Sequence, residues 1–170
     1  QTDLPLLYLW ILEPTEWDAP ENSLRHWQFQ YGSLLQINRE LSKIGRAIQI
    51  CYGEATAIFE ALQEKFILKY IWSYQESGPP RTYARDRALQ VFFKQQQIVW
   101  TEFQRDGIIR GLKNRKNWDK AWFAYVNSPI LDFYAQPDRT SISLENNFAL
   151  PSEISTQLAA YPDTFQKAGP

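Results

Sequence analysis

Residues Lys69 to Trp122 read KYIWSYQESGPPRTYARDRALQVFFKQQQIVWTEFQRDGIIRGLKNRKNWDKAW, and the order of signals in this stretch decides the fold. Tyr70 to Trp72 is a short apolar run of β-formers, followed by a polar turn over Ser73 to Pro80. Pro79 and Pro80 suit the first turn of a helix, where no amide donor is needed. Ala84, Ala88, Val91 and Phe92 then recur on one helical face. Gln95 to Gln97 close that helix, and Ile98 to Trp100 form a second strand. Strand, crossover helix and strand in this order make a βαβ unit, which implies parallel pairing. The polar loop lies at the carboxyl end of its strand, where open α/β sheets place their ligand crevices. Ser73, Gln75 and Glu76 are therefore candidate hydrogen-bonding groups for a flat heterocycle, although the same residues also describe a solvated turn.

Working outward towards the N-terminus, Pro5 to Leu12 (PLLYLWIL) is continuously apolar, as expected of a parallel strand covered on both faces. Glu13 to Asn22 contains two prolines and no period, and reads as a loop with Trp17 folded back over the core. Asn22 or Ser23 suits the cap of the next helix. Leu24, Trp27, Tyr31, Leu34, Leu35, Leu41 and Ile44 recur at three- and four-residue steps, and Gly45 follows as a stop. Ala47 to Cys51 reads as a strand, Gly53 and Glu54 as a turn, and Ile58, Ala61, Leu62 and Phe66 as one face of a further helix.

Beyond Trp100, the stretch Arg105 to Lys120 holds six bases and two acids, a local balance of +4. It reads as a nucleic-acid surface, a solvated face or a contact to an acidic neighbour, and Asn117 is placed to cap a short helix carrying Trp118, Trp122 and Tyr125. After Ile130, four prolines and weak helical hints around Glu153 to Ala160 read as a linker that wraps a surface.

Composition narrows the function classes. Eighteen Lys and Arg against nineteen acids give a net charge of −1, so any attraction to an anionic partner must be local. Cys51 is the single cysteine and His26 the single histidine, which excludes an internal disulfide and disfavours a cysteine or histidine metal centre and hydrolytic triads. Cys51 itself reads as a buried strand thiol. No apolar run reaches the ~18 residues of a membrane span and no signal peptide opens the chain, so the expected location is cytoplasmic, with no membrane partner. The absence of methionine, including at position 1, reads as part of a longer translation product. Isolated Gly53, Gly78 and Gly107 form no phosphate-cradling loop, which weakens a general nucleotide-binding reading. Oligomeric state is not legible.

The motif W-S-x-x-E (Trp72, Ser73, Glu76), then T-Y-A-R-D-R-A (Thr82 to Ala88), a strand ending at Trp100, and G-I-I-R-x-L-K-N-R-x-x-W (Gly107 to Trp118) resembles the N-terminal α/β antenna domain of the photolyase/cryptochrome family. Glu13-Pro14 after the first strand and Ser23-Leu24-Arg25 at the helix start also fit, so the resemblance covers residues 5 to 130. The ending Phe165 to Pro170 resembles the junction to that family's helical flavin domain.

The resemblance implies a Rossmann-like doubly wound parallel sheet over residues 1–130. It also implies an interdomain linker over 131–170, leading to an FAD-binding helical domain outside this chain. The family's first strand, central in an order 3-2-1-4-5, is missing from this sequence, so that strand is expected from elsewhere. The implied function is the antenna part of a blue-light-driven DNA photolyase, a lyase that repairs damaged DNA, with no catalytic residue in this fragment. A folate, deazaflavin or flavin antenna chromophore would be held at Ser73, Gln75 and Glu76. In that loop Tyr74, Gln75, Ser77, Gly78 and Arg81 replace the acidic and amide residues typical of known antenna sites, and Glu76 is the acid that remains. A signalling cryptochrome, or an α/β domain with no role in light, are the alternatives. The family places most of its DNA contact on the flavin domain.

Overall fold

The computed structural model describes residues 4–129 and 147–167. The chain divides into two compact units, the first from residues 1–54 and 134–170 and the second from residues 55–133. Among the described residues, four strands in two parallel pairs and six helices make a mixed α/β architecture.

In the first unit, β1 (Tyr8–Leu12) pairs in parallel with β2 (Ile48–Tyr52), Tyr8 opposite Ile48 and Leu12 opposite Tyr52. Parallel strands cannot be joined by a tight turn, so a crossover must span the pair. That crossover is α2 (Leu24–Ser42), the apolar-periodic helix of the sequence. Asn38 anchors the helix to the strand it feeds: its side-chain amide donates to Ile48 O at 3.2 Å and its Oδ1 accepts from Ile48 N at 2.6 Å. Arg46, buried at the end of the crossover, donates to the Tyr8 hydroxyl at 3.0 Å. The stretch read as a loop contains one helical turn, α1 (Pro14–Trp17), begun by Pro14, whose missing N–H is no loss at that position. Trp17 packs on the core and stacks with Trp27 at 6.4 Å between ring centroids, as expected. Neither capping candidate acts through its side chain. Ser23 is the N-cap without a side-chain bond, and the Asn22 amide donates instead to Glu16 O at 2.8 Å.

Residues 147–167 carry more structure than their composition suggested. Helix α6 (Ser152–Ala159) buries Ile154 and Leu158 against Leu12, with Trp10, Trp27 and Tyr31 packed around them. The buried Gln28 amide donates from α2 to Gln157 O at 2.8 Å and Ala160 O at 3.2 Å, satisfying carbonyls at the end of α6. Phe148 O accepts from Tyr52 N at 2.8 Å, at the last position of the β1–β2 register.

In the second unit, α3 (Ala55–Lys65) and α4 (Pro80–Gln95) pack with the parallel pair β3 (Tyr70–Tyr74) and β4 (Val99–Phe103). Phe93, 2% exposed, meets Phe59 of α3 edge-on at 5.0 Å and Trp100 of β4 at 5.3 Å. Both strands run two to three residues further than their apolar runs suggested, so Ser73 and Tyr74 are strand residues rather than loop residues. Helix α5 (Trp118–Val126) begins after Asn117 as expected, but Asn117 sits at φ +60° with no side-chain cap bond. Gly107, at φ +68°, lets α5 approach closely: a Cβ there would lie 2.9 Å from Trp122 Cδ1 and 3.3 Å from Tyr125 Cδ1.

Among the described residues the strands form two separate parallel pairs rather than one continuous sheet. No helix among them is long and apolar enough to cross a membrane.

Two measurements test this packing. Leu158→Ala should cost about 2–5 kcal/mol in urea unfolding, because it opens a cavity beneath α6; a loss under about 1 kcal/mol would mean that α6 is not docked. Cys51, 1% exposed in β2, has its thiol pKa raised by burial. Its alkylation by iodoacetamide at mildly alkaline pH should therefore be slow in the folded chain and fast in denaturant, and equal rates would contradict its placement.

Candidate functional site

The polar turn after β3 is organised by charge. Glu76 reaches forward with Oε1 to accept from Ser77 N at 2.8 Å and from Gly78 N, closing a turn on its own backbone. This requires a residue without Cβ at position 78, since a Cβ there would stand 2.7 Å from Glu76 Oε1 and 3.2 Å from Thr82 Oγ1. The other carboxylate oxygen accepts from Arg85 Nη2 at 3.0 Å, and Arg85 also holds Asp86 Oδ1 at 2.9–3.0 Å. Arg85 and Asp86 thus form an ion pair, with Glu76 as a third member. All three side chains are less than a third exposed, so the network is less screened than a surface pair.

Arg110 closes the turn from the other side. Its Nε donates to Glu76 O at 2.6 Å, its Nη1 donates to Glu102 Oε1 of β4 at 3.1 Å, and its guanidinium lies 5.4 Å from the Tyr83 ring centroid on α4. The remaining nitrogen, Nη2, is buried without a hydrogen-bond partner. One side chain therefore ties the loop, β4 and α4 together and still holds one unused donor.

The three residues singled out in the sequence fall close together but differ in what they leave free. Ser73 Oγ accepts from Trp100 Nε1 at 3.0 Å and donates to Tyr74 O at 3.2 Å. Both Glu76 oxygens are engaged. The Gln75 backbone continues the ladder through Phe103 O at 2.8 Å, while its half-buried side-chain amide has no hydrogen-bond partner among the described residues. Arg110 was visible only as one base in a basic run. Nothing in the spacing pairs it with Glu76, 34 residues earlier. Among the described residues no group of three or more His, Cys, Asp or Glu is gathered as a metal site.

No family model matches the chain, and no curated protein matches it. Among solved structures, it matches an archaeal photolyase from Sulfolobus tokodaii, whose crystal structure contains two FAD molecules and implicates a novel light-harvesting cofactor. The superposition has a TM-score of 0.68 at 16% identity and covers 98% of this chain. The fold is photolyase-like. That likeness runs through both units of the chain, as the sequence resemblance implied, and at this identity it is a likeness of fold. The photolyase-like chain spans 38% of the archaeal protein's length.

Arg110→Lys tests the loop geometry, because lysine keeps the charge but cannot bridge Glu76 O and Glu102 while lying against Tyr83. Loss of about 1–3 kcal/mol of stability is expected, with faster amide exchange at Ser77 and Gly78. Unchanged exchange at those amides would show that Arg110 does not hold the turn.

Proposed function

We propose that this chain is the antenna part of a photolyase-type flavoprotein, holding a light-harvesting chromophore at the turn after β3 and passing its excitation to FAD held elsewhere in the full-length protein. The observation that supports this most is the photolyase-like fold across 98% of the chain, together with a preorganised polar turn at the carboxyl ends of a parallel strand pair. The finer architecture belongs to the same proposal: a Rossmann-like doubly wound sheet whose central strand comes from outside these residues, and a C-terminal segment leading to the helical FAD domain. On this reading the full-length protein is a blue-light-driven DNA photolyase acting on damaged DNA in the cytoplasm, and no catalytic residue lies within these 170 positions.

The residues at the turn fit part of an antenna site. The Gln75 amide is available to a ring carbonyl or ring nitrogen, and the orphaned Arg110 donor suits an acceptor oxygen. Ser73 and Glu76 fix the floor and the turn rather than offering vacant groups. A folate, deazaflavin or flavin supplies strong near-ultraviolet or blue absorption when bound. This chain's residues orient it and keep water from one face.

The test is an absorption spectrum of the purified full-length protein, followed by denaturation and identification of the released pigments. Flavin plus a second pigment is expected, and Gln75→Ala should lower the second pigment's occupancy while leaving flavin content unchanged. Flavin alone would remove the antenna role and leave a scaffold.

A further inference from the structure

The second unit has an open aromatic face that neither its core nor the candidate site uses. Along β3 the side chains of Tyr70, Trp72 and Tyr74 point away from the buried Phe93 cluster and are 43%, 47% and 63% exposed. Opposite them in register on β4 stand Val99, Thr101 and Phe103, with Phe103 52% exposed. Tyr70 and Trp72 lie nearly parallel, 17° apart in plane with centroids at 5.7 Å. Apart from Val99 and Thr101, this face is aromatic rings.

Charge is segregated towards the same unit. Residues 55–133 hold 12 Lys and Arg against 8 Asp and Glu, a balance of +4, which leaves −5 for the rest of a chain whose total is −1. The basic segment begins where the aromatic face ends: Arg105 follows Phe103 by two residues, and its guanidinium lies 6.0 Å from the Tyr74 ring centroid. Further along, Lys113, Arg115, Lys116 and Lys120 are all exposed, with no carboxylate partner among the described residues.

We propose that the open face of the β3–β4 pair, with the basic segment that follows it, binds single-stranded nucleic acid by stacking bases on Tyr70, Trp72, Tyr74 and Phe103. Rings on an exposed sheet offer a π-face to any unpaired base, and cations beside them meet the phosphates. A duplex keeps its bases stacked inside and cannot use such a platform. An apolar protein surface would be met better by aliphatic side chains and would leave the +4 balance unexplained. This inference stands apart from the pigment proposal, because it uses the opposite end of the side-chain inventory and requires no chromophore.

The experiment is fluorescence anisotropy of the 170-residue chain with a fluorescein-labelled oligothymidylate of about ten nucleotides, set against a duplex of equal length. Binding should quench tryptophan fluorescence and favour the single strand. It should also weaken with salt, with a log–log slope near −2 for about three phosphate contacts. Trp72→Ala and Tyr74→Ala should each weaken binding at least about fivefold, and Lys113→Gln with Lys116→Gln should flatten the salt slope. Far-ultraviolet circular dichroism identifies any variant that fails to fold, and Tyr74→Ala, at the most exposed ring, keeps the test available should Trp72→Ala fail. Equal affinity for duplex, loss with the lysine variants but none with the ring variants, or no binding at low salt would overturn the proposal. So would self-association that depends on Trp72, which would make the face a protein interface.

Discussion

Parallel pairing is the constraint from which the rest of this structure follows. Two parallel strands leave their connecting ends at opposite edges of the pair, so β1 and β2 need the 19-residue α2 between them, and β3 and β4 need the 16-residue α4. Each crossover must bury one face on the strands it joins, which is why Leu34 and Leu41 of α2 and Leu89 and Phe93 of α4 are buried. The same geometry sends both strands of a pair in one direction and gathers their carboxyl ends on one side. The turn bearing Glu76 and the strand end bearing Glu102 and Phe103 are neighbours for that reason, and Arg110 can reach both.

At that edge, electrostatics takes over from packing. The turn from Gln75 to Pro79 has little apolar content, and its order comes from one carboxylate that satisfies two backbone amides and one guanidinium. Arg110 adds a clamp on the carbonyl of the same residue. Bonds to charged groups are worth roughly twice neutral ones, and each lost partner would strand a half-buried charge. A turn held in this way is preorganised, so a ligand binding there would not have to order it first. The unused Nη2 of Arg110 is the exception in an otherwise satisfied network, and buried unsatisfied donors are uncommon enough to mark a place of interest.

The long periodic elements were legible because their signal is repeated. Helix α2 carries its apolar stripe over five turns, and the βαβ order of residues 69–103 survives any error of two residues at a boundary. What the sequence hid were effects that depend on a partner distant in the chain. Ser73 and Tyr74 are polar or exposed and look like loop, yet the ladder to Glu102 and Phe103 holds them as strand. Helix α6 is eight residues long, too short to be convincing alone, and is held by Leu12 and by the Gln28 amide some 130 residues away. Capping failed for a related reason, since the Asn22 side chain turns its amide to donate to Glu16 O instead of offering its oxygen to the N–H groups of the helix it precedes. The resemblance carried by Trp72, Ser73, Glu76 and the run from Thr82 was sufficient for the fold, but it could not tell which of those groups would remain free.

A net charge of −1 describes this chain as electrostatically near-neutral, and there whole-chain composition misleads. The field around a folded unit is set by the charges it carries, within a Debye length of about 8–10 Å, and not by acids placed far along the sequence. Residues 55–133 at +4 and the remainder at −5 are two differently charged bodies joined in one chain. The exposed rings of β3 and β4 lie on the positive one. An aromatic face without charge would be an aggregation hazard, and a basic segment without rings would bind any polyanion weakly. Their occurrence in one unit, with Arg105 against Tyr74 at the junction, gives that surface a chemical preference that neither feature has alone.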